Sequence, residues 1–411
     1  MTQLAAKRHP TDADPPIEVV GIGADGFSSL NEAAQFAILH ADIVIGSWRQ
    51  LNLLPEGCRA ERRPWPSPLL PSIEPLFQEF IGKHIVVLAS GDPMFHGIGT
   101  TLIRIFGVHR VHIHSAPSSI SLACARLGWP VDATPVVSLM SKPVASMIPI
   151  VDSGQPFMVL CRDETSVGEI ASLLVSLGHE AAKLIVLSDL GSADEQQLSG
   201  TAILPPKPVS SLNILAIIPN GPTHSCVPGL PDSEYETDGQ LTKQDIRALT
   251  ISALAPKDGE TLWDIGGGTG SIAIEAMRAV PSLSAYCFEI NEERRTRIAR
   301  NAVALGVPTL QVLGSAPKAL LDAPTPDVIF IGGGITSASV FETAWAALPL
   351  GGRLVANAVT IESEQKLWQL RKQYGGTMIR MEISHEHPVG AFTTMKPALP
   401  VVQWRVLKET N

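Results

Sequence analysis

The sequence predicts an α/β protein of two or more domains, and three observations carry the prediction. Short apolar runs that end in glycine-bearing turns and hand over to helices recur along the chain, at Ile17–Val20, Ile85–Ala89 and Thr261–Ile265. A stretch rich in Pro, Gly and acidic residues, Pro219–Gly239, interrupts that alternation. The length, 411 residues, exceeds the size at which single cores stop growing.

Composition narrows the class. Hydrophobic residues make up 45% of the chain and charged residues 17%, which supplies enough apolar material for globular cores. A formal net charge of −9 argues against nucleic acid or an anionic membrane surface as partner, because both need a positive field; it leaves room for a local basic pocket. No apolar run approaches the roughly 18 residues of a membrane span. The five cysteines, Cys58, Cys124, Cys161, Cys226 and Cys287, stand singly without a CxxC pair. They read as reduced thiols of a cytoplasmic protein, and no metal centre is expected. Residues 1–16 are polar and proline-bearing, are expected as a frayed tail, and show no charged-then-apolar leader.

The first elements build one lobe. After the Ile17–Val20 strand, Gly21, Gly23 and Gly26 form a turn before a helix over Leu30–His40. Asp42–Ile45 is a second strand, closed by the turn Gly46-Ser47-Trp48-Arg49. Strand Ile85–Ala89 ends in Ser90-Gly91-Asp92-Pro93, and Met94–Gly99 lead into a helix carrying Leu102, Ile103 and Phe106. Such a strand end fixes backbone groups by glycine and proline and exposes one carboxylate. A structural Asp cap is the plain alternative, yet two glycine turns at strand ends in one small domain point to a ligand site. His112 and His114 share one face of a strand without further ligands in sight, so they read as exposed strand residues, as do His385 and His387.

A second lobe follows. A helix runs from Ser118 to Leu127 and stops at Gly128; Val136–Leu139, Phe157–Leu160, Lys183–Leu187 and Ile214–Ile218 are strands, and Glu169–Leu177 is a helix. The Pro219–Gly239 stretch then reads as a linker. Thr242, with Asp245 three residues on, is the expected N-cap of a helix reaching Leu254.

The next domain is organised around TLWDIGGGTGSIAIEAM, Thr261–Met277, a strand, a tight turn and a helix. Gly266, Gly268 and Gly270 let the backbone approach a ligand, and the first turn of the helix offers unpaired N–H groups. Glu289, near the carboxyl end of the next strand, Ser284–Ile290, stands where a doubly wound fold places an acceptor for ribose hydroxyls. A dinucleotide fingerprint would need glycine at position 271, which is serine, so S-adenosylmethionine stands ahead of a nicotinamide cofactor. The helix over Asn291–Leu305 carries Arg294, Arg295, Arg297 and Arg300, either a solvated ion-paired face or a surface for a polyanion. Strand Asp327–Ile331 ends in Gly332-Gly333-Gly334 and strand Arg353–Asn357 in a polar group, so Gly266–Gly270, Glu289, Gly332–Gly334 and Asn357 should converge. Thr377–Ser384 and Val401–Leu407 suit antiparallel edge strands.

The motifs VVGIGADG, SGDPMFHGIG, SSISLACARLGWP and LGSADEQ in the first part, then LTKQDIRAL, DIGGGTGSIAIE, PDVIFIGGG, GGRLVANAVT and PALPVVQW in the second, follow one another over nearly the whole chain. In that order they resemble the bifunctional, decarboxylating precorrin-6Y C5,15-methyltransferase family. The resemblance implies a two-lobed tetrapyrrole-methylase fold over residues 17–218, with lobes of about 17–115 and 116–218. A linker at 219–239 and a Rossmann-like class I methyltransferase domain over 240–411 complete the implied architecture.

It also implies one S-adenosylmethionine per half. Contacts carried over fall on Gly21, Gly23, Gly91 and Asp92 in the first, and on Thr242, Gly266, Gly267, Gly268, Thr269, Gly270, Glu289 and Ala316 in the second. The implied reaction converts precorrin-6B to precorrin-8X in cobalamin synthesis: C5 methylation by the first half, C15 methylation and loss of the ring C acetate carboxyl by the second. Many tetrapyrrole methylases have a GPGD-type first turn, from which Gly23-Ala24-Asp25-Gly26 departs, leaving the role of Asp25 open. No residue is assigned to covalent catalysis; Arg294, Arg297, Arg353 and Asn357 are candidates for holding substrate in the second half. Expected partners are the tetrapyrrole and further copies of the chain, without nucleic acid or membrane. The alternatives are the same chemistry on a cobalt-bearing precorrin, a nicotinamide oxidoreductase, and a non-catalytic S-adenosylmethionine-binding protein.

Overall fold

The computed structural model describes residues 15–409, so nearly all of the tail expected at residues 1–16 lies outside the described residues. The chain forms two compact units, one comprising the residues up to Lys142 with Pro156–Gly221, the other Pro143–Gln155 with the residues from Pro222 onward.

The first unit holds two five-stranded sheets. β1 (Ile17–Ile22), β2 (Ile43–Gly46), β3 (Glu61–Pro64), β4 (Ile85–Ser90) and β5 (Val111–His114) are parallel, in the order β3-β2-β4-β1-β5. β1 and β4 are buried on both faces, which is why they read as unbroken apolar runs. β3, with the sequence ERRP, is an edge strand that no apolar pattern announces. The second sheet, β6 (Val136–Ser138), β7 (Phe157–Leu160), β8 (Lys183–Ser188), β9 (Gln196–Thr201) and β10 (Asn213–Ile218), runs β6-β7-β10-β8-β9 and is antiparallel except at β6–β7. The helix Ser119–Leu127 opens where the Ser118 side chain accepts the N–H of Ser121, and it ends at Gly128 in the left-handed region, φ +70°.

The second unit is a seven-stranded sheet flanked by helices. Its strands are β11 (Thr261–Ile265), β12 (Ser284–Phe288), β13 (Gln311–Leu313), β14 (Val328–Ile331), β15 (Arg353–Ala358), β16 (Thr377–Met381) and, beyond an exposed hairpin of β17 (Ser384–Val389) and β18 (Phe392–Pro397), β19 (Val401–Leu407). The order is β13-β12-β11-β14-β15-β19-β16, with β19 antiparallel to both neighbours. β19 is therefore not the edge strand expected; it lies inside the sheet with Val402, Gln403 and Trp404 buried, and β16 forms the edge. The strand order reverses between β11 and β14, the place where an open parallel sheet leaves a crevice at its carboxyl ends.

The stretch expected as a linker is a fixed strap on the second unit. Leu230 and Tyr235 enter its core. Glu275, on the helix Ser271–Ala279, accepts bonds from Gly229 N, Leu230 N and Tyr235 Oη at 2.6, 3.2 and 2.8 Å. The two apolar anchors were hidden among prolines, glycines and acids. Pro143–Gln155, between β6 and β7 in sequence, also belongs to this unit: Asp152 accepts from Arg278 at 2.7 Å, with both side chains buried. Thr242 is not an N-cap. The helix spans Gln244–Leu254; Asp232 accepts the N–H of Gln244 at 3.0 Å, and Arg247 takes the carbonyl of Thr242 at 2.5 Å.

Candidate functional site

The glycine loop of the second unit is shaped by its neighbours. Gly266, Gly268 and Gly270 have φ of +78°, +60° and +78°, a region that side chains disfavour. A Cβ on Gly267 would overlap the Cys287 sulfur, and one on Gly268 would lie 2.8 Å from the Gln240 carbonyl oxygen. The loop thus passes between β12 and the strap. Gly332 donates its N–H to Ile265 O at 2.9 Å, and Gly333 packs on Gly266, so the two glycine turns meet as the strand pattern predicted.

Glu289 sits where its spacing put it. Buried at 4% exposure, it accepts from Gly268 N at 2.9 Å through Oε2 and from Asn291 N at 3.0 Å through Oε1. Each oxygen keeps acceptor capacity for a ligand hydroxyl. Ala316 follows β13 on the same side of the sheet, half-buried against the core.

Asp264, recognised in the sequence only as the end of a strand, is 1% exposed; its Oδ2 accepts from Ala273 N at 3.2 Å while Oδ1 has no partner. Burial, and after it the nearby Glu289 charge, push its pKa up to about 7 against the opposing Ala273 N–H. Thr269 Oγ1 is buried and unpartnered too. Orphaned polar atoms in a glycine cradle suit a cofactor with cationic and hydroxyl groups, and S-adenosylmethionine fits that donor set.

Asn301 was missed. It lies on the helix Glu292–Ala304, 3% exposed, and clamps strap to loop: Oδ1 accepts from Glu236 N at 3.0 Å, and Nδ2 donates to Glu236 O and Thr269 O at 3.0 and 3.1 Å. The signal available was an Asn in register with Ile298 and Ala302, where a surface helix buries apolar side chains.

Three of the four substrate-holding candidates are placed differently from expectation. Arg294 bonds Asp238 at 2.8 Å, and Arg297 reaches Asp238 at 3.1 Å and Glu236 at 3.7 Å, so both cations are spent on the strap. The arginine run is the ion-paired face that formed the alternative reading. Arg353 stands at the amino end of β15, opposite the crevice, held by Glu260 and the carbonyls of Leu254 and Ala255. Asn357 is near the carboxyl end, but its amide is engaged by Thr250 at 2.9 Å and Gln403 at 3.0 Å.

In the first unit, Gly21 belongs to the end of β1 rather than to a turn, and a Cβ there would overlap the Gly91 carbonyl oxygen. A Cβ on Gly23 would strike the Asp25 carboxylate. Beside them opens a cavity of about 530 Å³ lined by Asp92, His96, Ser118, Ser121, Thr134 and Val136 among others. Asp92 Oδ1 accepts from Met94 N at 2.8 Å. Gly23 and Gly21 do not line the cavity themselves; Gly21 lets β1 and the Ser90–Pro93 turn pack closely, and Gly23 makes room for the Asp25 carboxylate. A cavity of this size, apolar with convergent hydroxyls and one carboxylate, is of the kind that takes a nucleoside cofactor.

His112 and His114 bracket Glu18, at 3.3 and 2.8 Å. All five cysteines are unpaired thiols.

A two-lobed unit with a cavity at a Gly-Asp turn, followed by a doubly wound unit with a glycine cradle and a buried glutamate at the next strand end, defines the class: a two-unit α/β methyltransferase using S-adenosylmethionine. A protein of Mycobacterium tuberculosis (strain CDC 1551 / Oshkosh) named precorrin-6Y C(5,15)-methyltransferase [decarboxylating] is 43% identical over 398 residues, 95% of this chain and 100% of that one. The chain belongs to the precorrin-6Y C(5,15)-methyltransferase (decarboxylating) family. A protein of the same name from Sinorhizobium sp is 42% identical over 407 residues, 96% of this chain and 97% of that one. Family profiles match over residues 16–203, described as Tetrapyrrole (Corrin/Porphyrin) Methylases, and 233–408, described as Precorrin methyltransferase domain. The crystal structure of the C-terminal domain of precorrin-6Y C5,15-methyltransferase from Rhodobacter capsulatus is 42% identical, covering 45% of this chain and 100% of that one, with a TM-score of 0.43.

Proposed function

We propose that the chain methylates a precorrin at C5 and C15 and removes the ring C acetate carboxyl, converting precorrin-6B to precorrin-8X in cobalamin synthesis. The observation that carries this reading is the pairing in one chain of two separate cofactor-type sites, the Asp92 cavity and the Gly266–Gly270 cradle. Relatives named for both methylations match it end to end. The two sites support a reading of one cofactor per unit. A cobalt-bearing precorrin remains the alternative substrate.

When bound, S-adenosylmethionine supplies an electrophilic sulfonium methyl. The chain's part is positioning and exclusion of water. In the second unit Gly266–Gly270 bring backbone close to the ligand, Glu289 accepts from ribose hydroxyls, and Asp264 offers a buried acceptor to the cationic end. Gln240, just beyond the strap, forms the wall facing Gly268. In the first unit Asp92, Ser118 and Ser121 supply the polar groups of the cavity. For decarboxylation the conjugated ring takes up the electron pair, and the pocket holds the acetate away from water. The existing carboxylate partners of Arg294, Arg297 and Arg353 argue against that task for them.

The test uses the whole chain with precorrin-6Y and methyl-labelled cofactor. Two labelled methyl groups and one carbon dioxide per macrocycle are expected, with two molecules of the demethylated cofactor bound per chain by calorimetry; a single methyl group would remove one unit from the reaction.

A cytoplasmic location and self-association belong to the same reading. The first rests on the five unpaired thiols, the second on the hairpin, which exposes Val389, Phe392 and Met395 together. Among the described residues no helix is long and apolar enough to cross a membrane.

Asp264 gives the site a pH signature. Its carboxyl ionises near 3.8 when unfolded but near 7 in the fold, so between those values unfolding releases a proton. Its contribution to stability is therefore greatest below about pH 4 and declines to a plateau above about pH 7, by roughly 4 kcal/mol at most. Asp264→Asn should remove that decline. In thermal unfolding without ligand, the variant is expected to gain on the parent from pH 5 to about pH 7 and to level off by pH 8. A constant difference across that range would mean that Asp264 is already ionised in the fold.

A further inference from the structure

The turn Gly46-Ser47-Trp48-Arg49, which the sequence reading marked and the function did not absorb, lies at the carboxyl end of β2. Ser47 caps the short helix Trp48–Leu51 through a reciprocal bond with Gln50. That helix aims Arg49 across the sheet end at β4: its Nη2 donates to Ser90 Oγ at 2.7 Å, and Gln50 Nε2 donates to the same oxygen at 3.0 Å. Ser90 opens the turn whose Asp92 lines the 530 Å³ cavity. Arg49 forms no ion pair among the described residues; Asp189 acts on it only at longer range, and its carboxylate is bonded to Ser210 at 3.0 Å. Burial holds the guanidinium below its usual range, the mark of a cation stripped of water without a matching anion. Trp48 beside it is 65% exposed.

A half-buried guanidinium bonded to a hydroxyl retains several N–H donors in a planar fork suited to a carboxylate. An exposed indole adjacent to it offers a flat apolar face. A tetrapyrrole has both complements, a flat macrocycle and peripheral acetate and propionate groups. We propose that Arg49 binds a peripheral carboxylate of the tetrapyrrole methylated by the first unit, with Trp48 meeting the macrocycle. The inference rests on the function proposed above and adds to it a substrate anchor in a chain of net charge −9. Because the anchored group is remote from the reacting carbon, it binds ground state and transition state alike and acts on KM rather than on kcat.

The test is steady-state C5 methylation by full-length Arg49→Met, Arg49→Lys and Trp48→Ala, with C15 methylation followed in the same samples as an internal reference and thermal unfolding of each variant as the check on folding. Loss of a charge-assisted bond should raise the KM for tetrapyrrole roughly ten- to a hundredfold in Arg49→Met, leaving kcat and cofactor affinity near the parent values. Arg49→Lys, a point charge without the fork, should recover part of the loss. Trp48→Ala should raise the same KM by a smaller factor. Substrate whose side-chain carboxylates are methyl esters should bind the parent weakly, and Arg49→Met should distinguish acid from ester less than the parent does. An unchanged KM in Arg49→Met, or a loss of cofactor affinity parallel to the rise in KM, overturns the inference. Failure of the parent itself to methylate C5 would instead overturn the functional reading on which it rests.

Discussion

Gly268→Val is expected to abolish C15 methylation and carbon dioxide release while C5 methylation continues. Two independent obstacles meet at this position. The backbone is at φ +60°, a region a β-branched residue hardly populates, and the new Cβ would lie 2.8 Å from the Gln240 carbonyl. The loop or the strap must move, and either movement breaks the bond from Gly268 N to Glu289 and opens the wall facing the cofactor. Glu289→Ala is the graded counterpart. It leaves the N–H groups of Gly268 and Asn291 without their acceptor and removes the proposed ribose acceptor, for an expected loss of roughly ten- to a hundredfold in cofactor affinity. Counting labelled methyl groups at each meso carbon separates the two units, and cofactor titration separates binding from turnover. A folded Gly268→Val chain that methylates C15 at the parent rate would place the cofactor away from this loop.

The parts of this site legible in the sequence are those written in local chemistry. Glycines at 266, 268 and 270 announce a turn, and Glu289 announces itself by its distance from that turn along a strand–helix–strand unit. Gly128 stops its helix as predicted because a left-handed residue is a local requirement. What sequence reading missed depends on long-range partners. The strap at 219–239 has the composition of a linker, and its fixing rests on Leu230, Tyr235 and a carboxylate about forty residues away, Glu275. Arg294 and Arg297 look free to meet a polyanion until Glu236 and Asp238 are brought to them by that strap. Thr242 has the right residue type for a cap, but Asp232, ten residues earlier, takes the helix N–H instead. β19 reads as an edge strand from its alternation; its placement between β15 and β16 is a pairing choice made across the sheet. In the first unit, Ser118 was legible as the start of a helix, whereas its capping bond to Ser121 and its place beside Asp92 in a cavity required the fold.

The largest effect on stability is expected from Glu275→Ala. Arg247 has no solvent exposure, stacks over the Tyr235 ring at 4.8 Å, and pairs with Glu275 while donating to the carbonyls of Leu230 and Thr242. Removing the carboxylate leaves that cation with only the part-exposed Asp232 at 3.2 Å as counter-charge, and also leaves Tyr235 Oη and the N–H groups of Gly229 and Leu230 without their acceptor. Breaking a buried pair from one side costs about 3–5 kcal/mol, which in a unit of this size lowers the unfolding temperature by roughly 10 °C. Because the strap runs directly into Gln240, which lies against the loop at Gly268, cofactor affinity in the second unit should fall with it while C5 methylation is spared. Asn301→Leu, which cuts the second clamp, should weaken cofactor binding with a smaller thermal penalty, since no charge is left buried. The paired change Glu275→Met with Arg247→Met tests the cause. It removes both charges, so it should be more stable than Glu275→Ala alone, by the non-additivity that a direct ion pair requires. Differential scanning calorimetry with and without cofactor reads all three variants. If Glu275→Ala unfolds at the parent temperature and binds cofactor as the parent does, the buried pair is not what holds the strap, and the wall facing Gly268 must be fixed by Asn301 and the three arginine pairs alone.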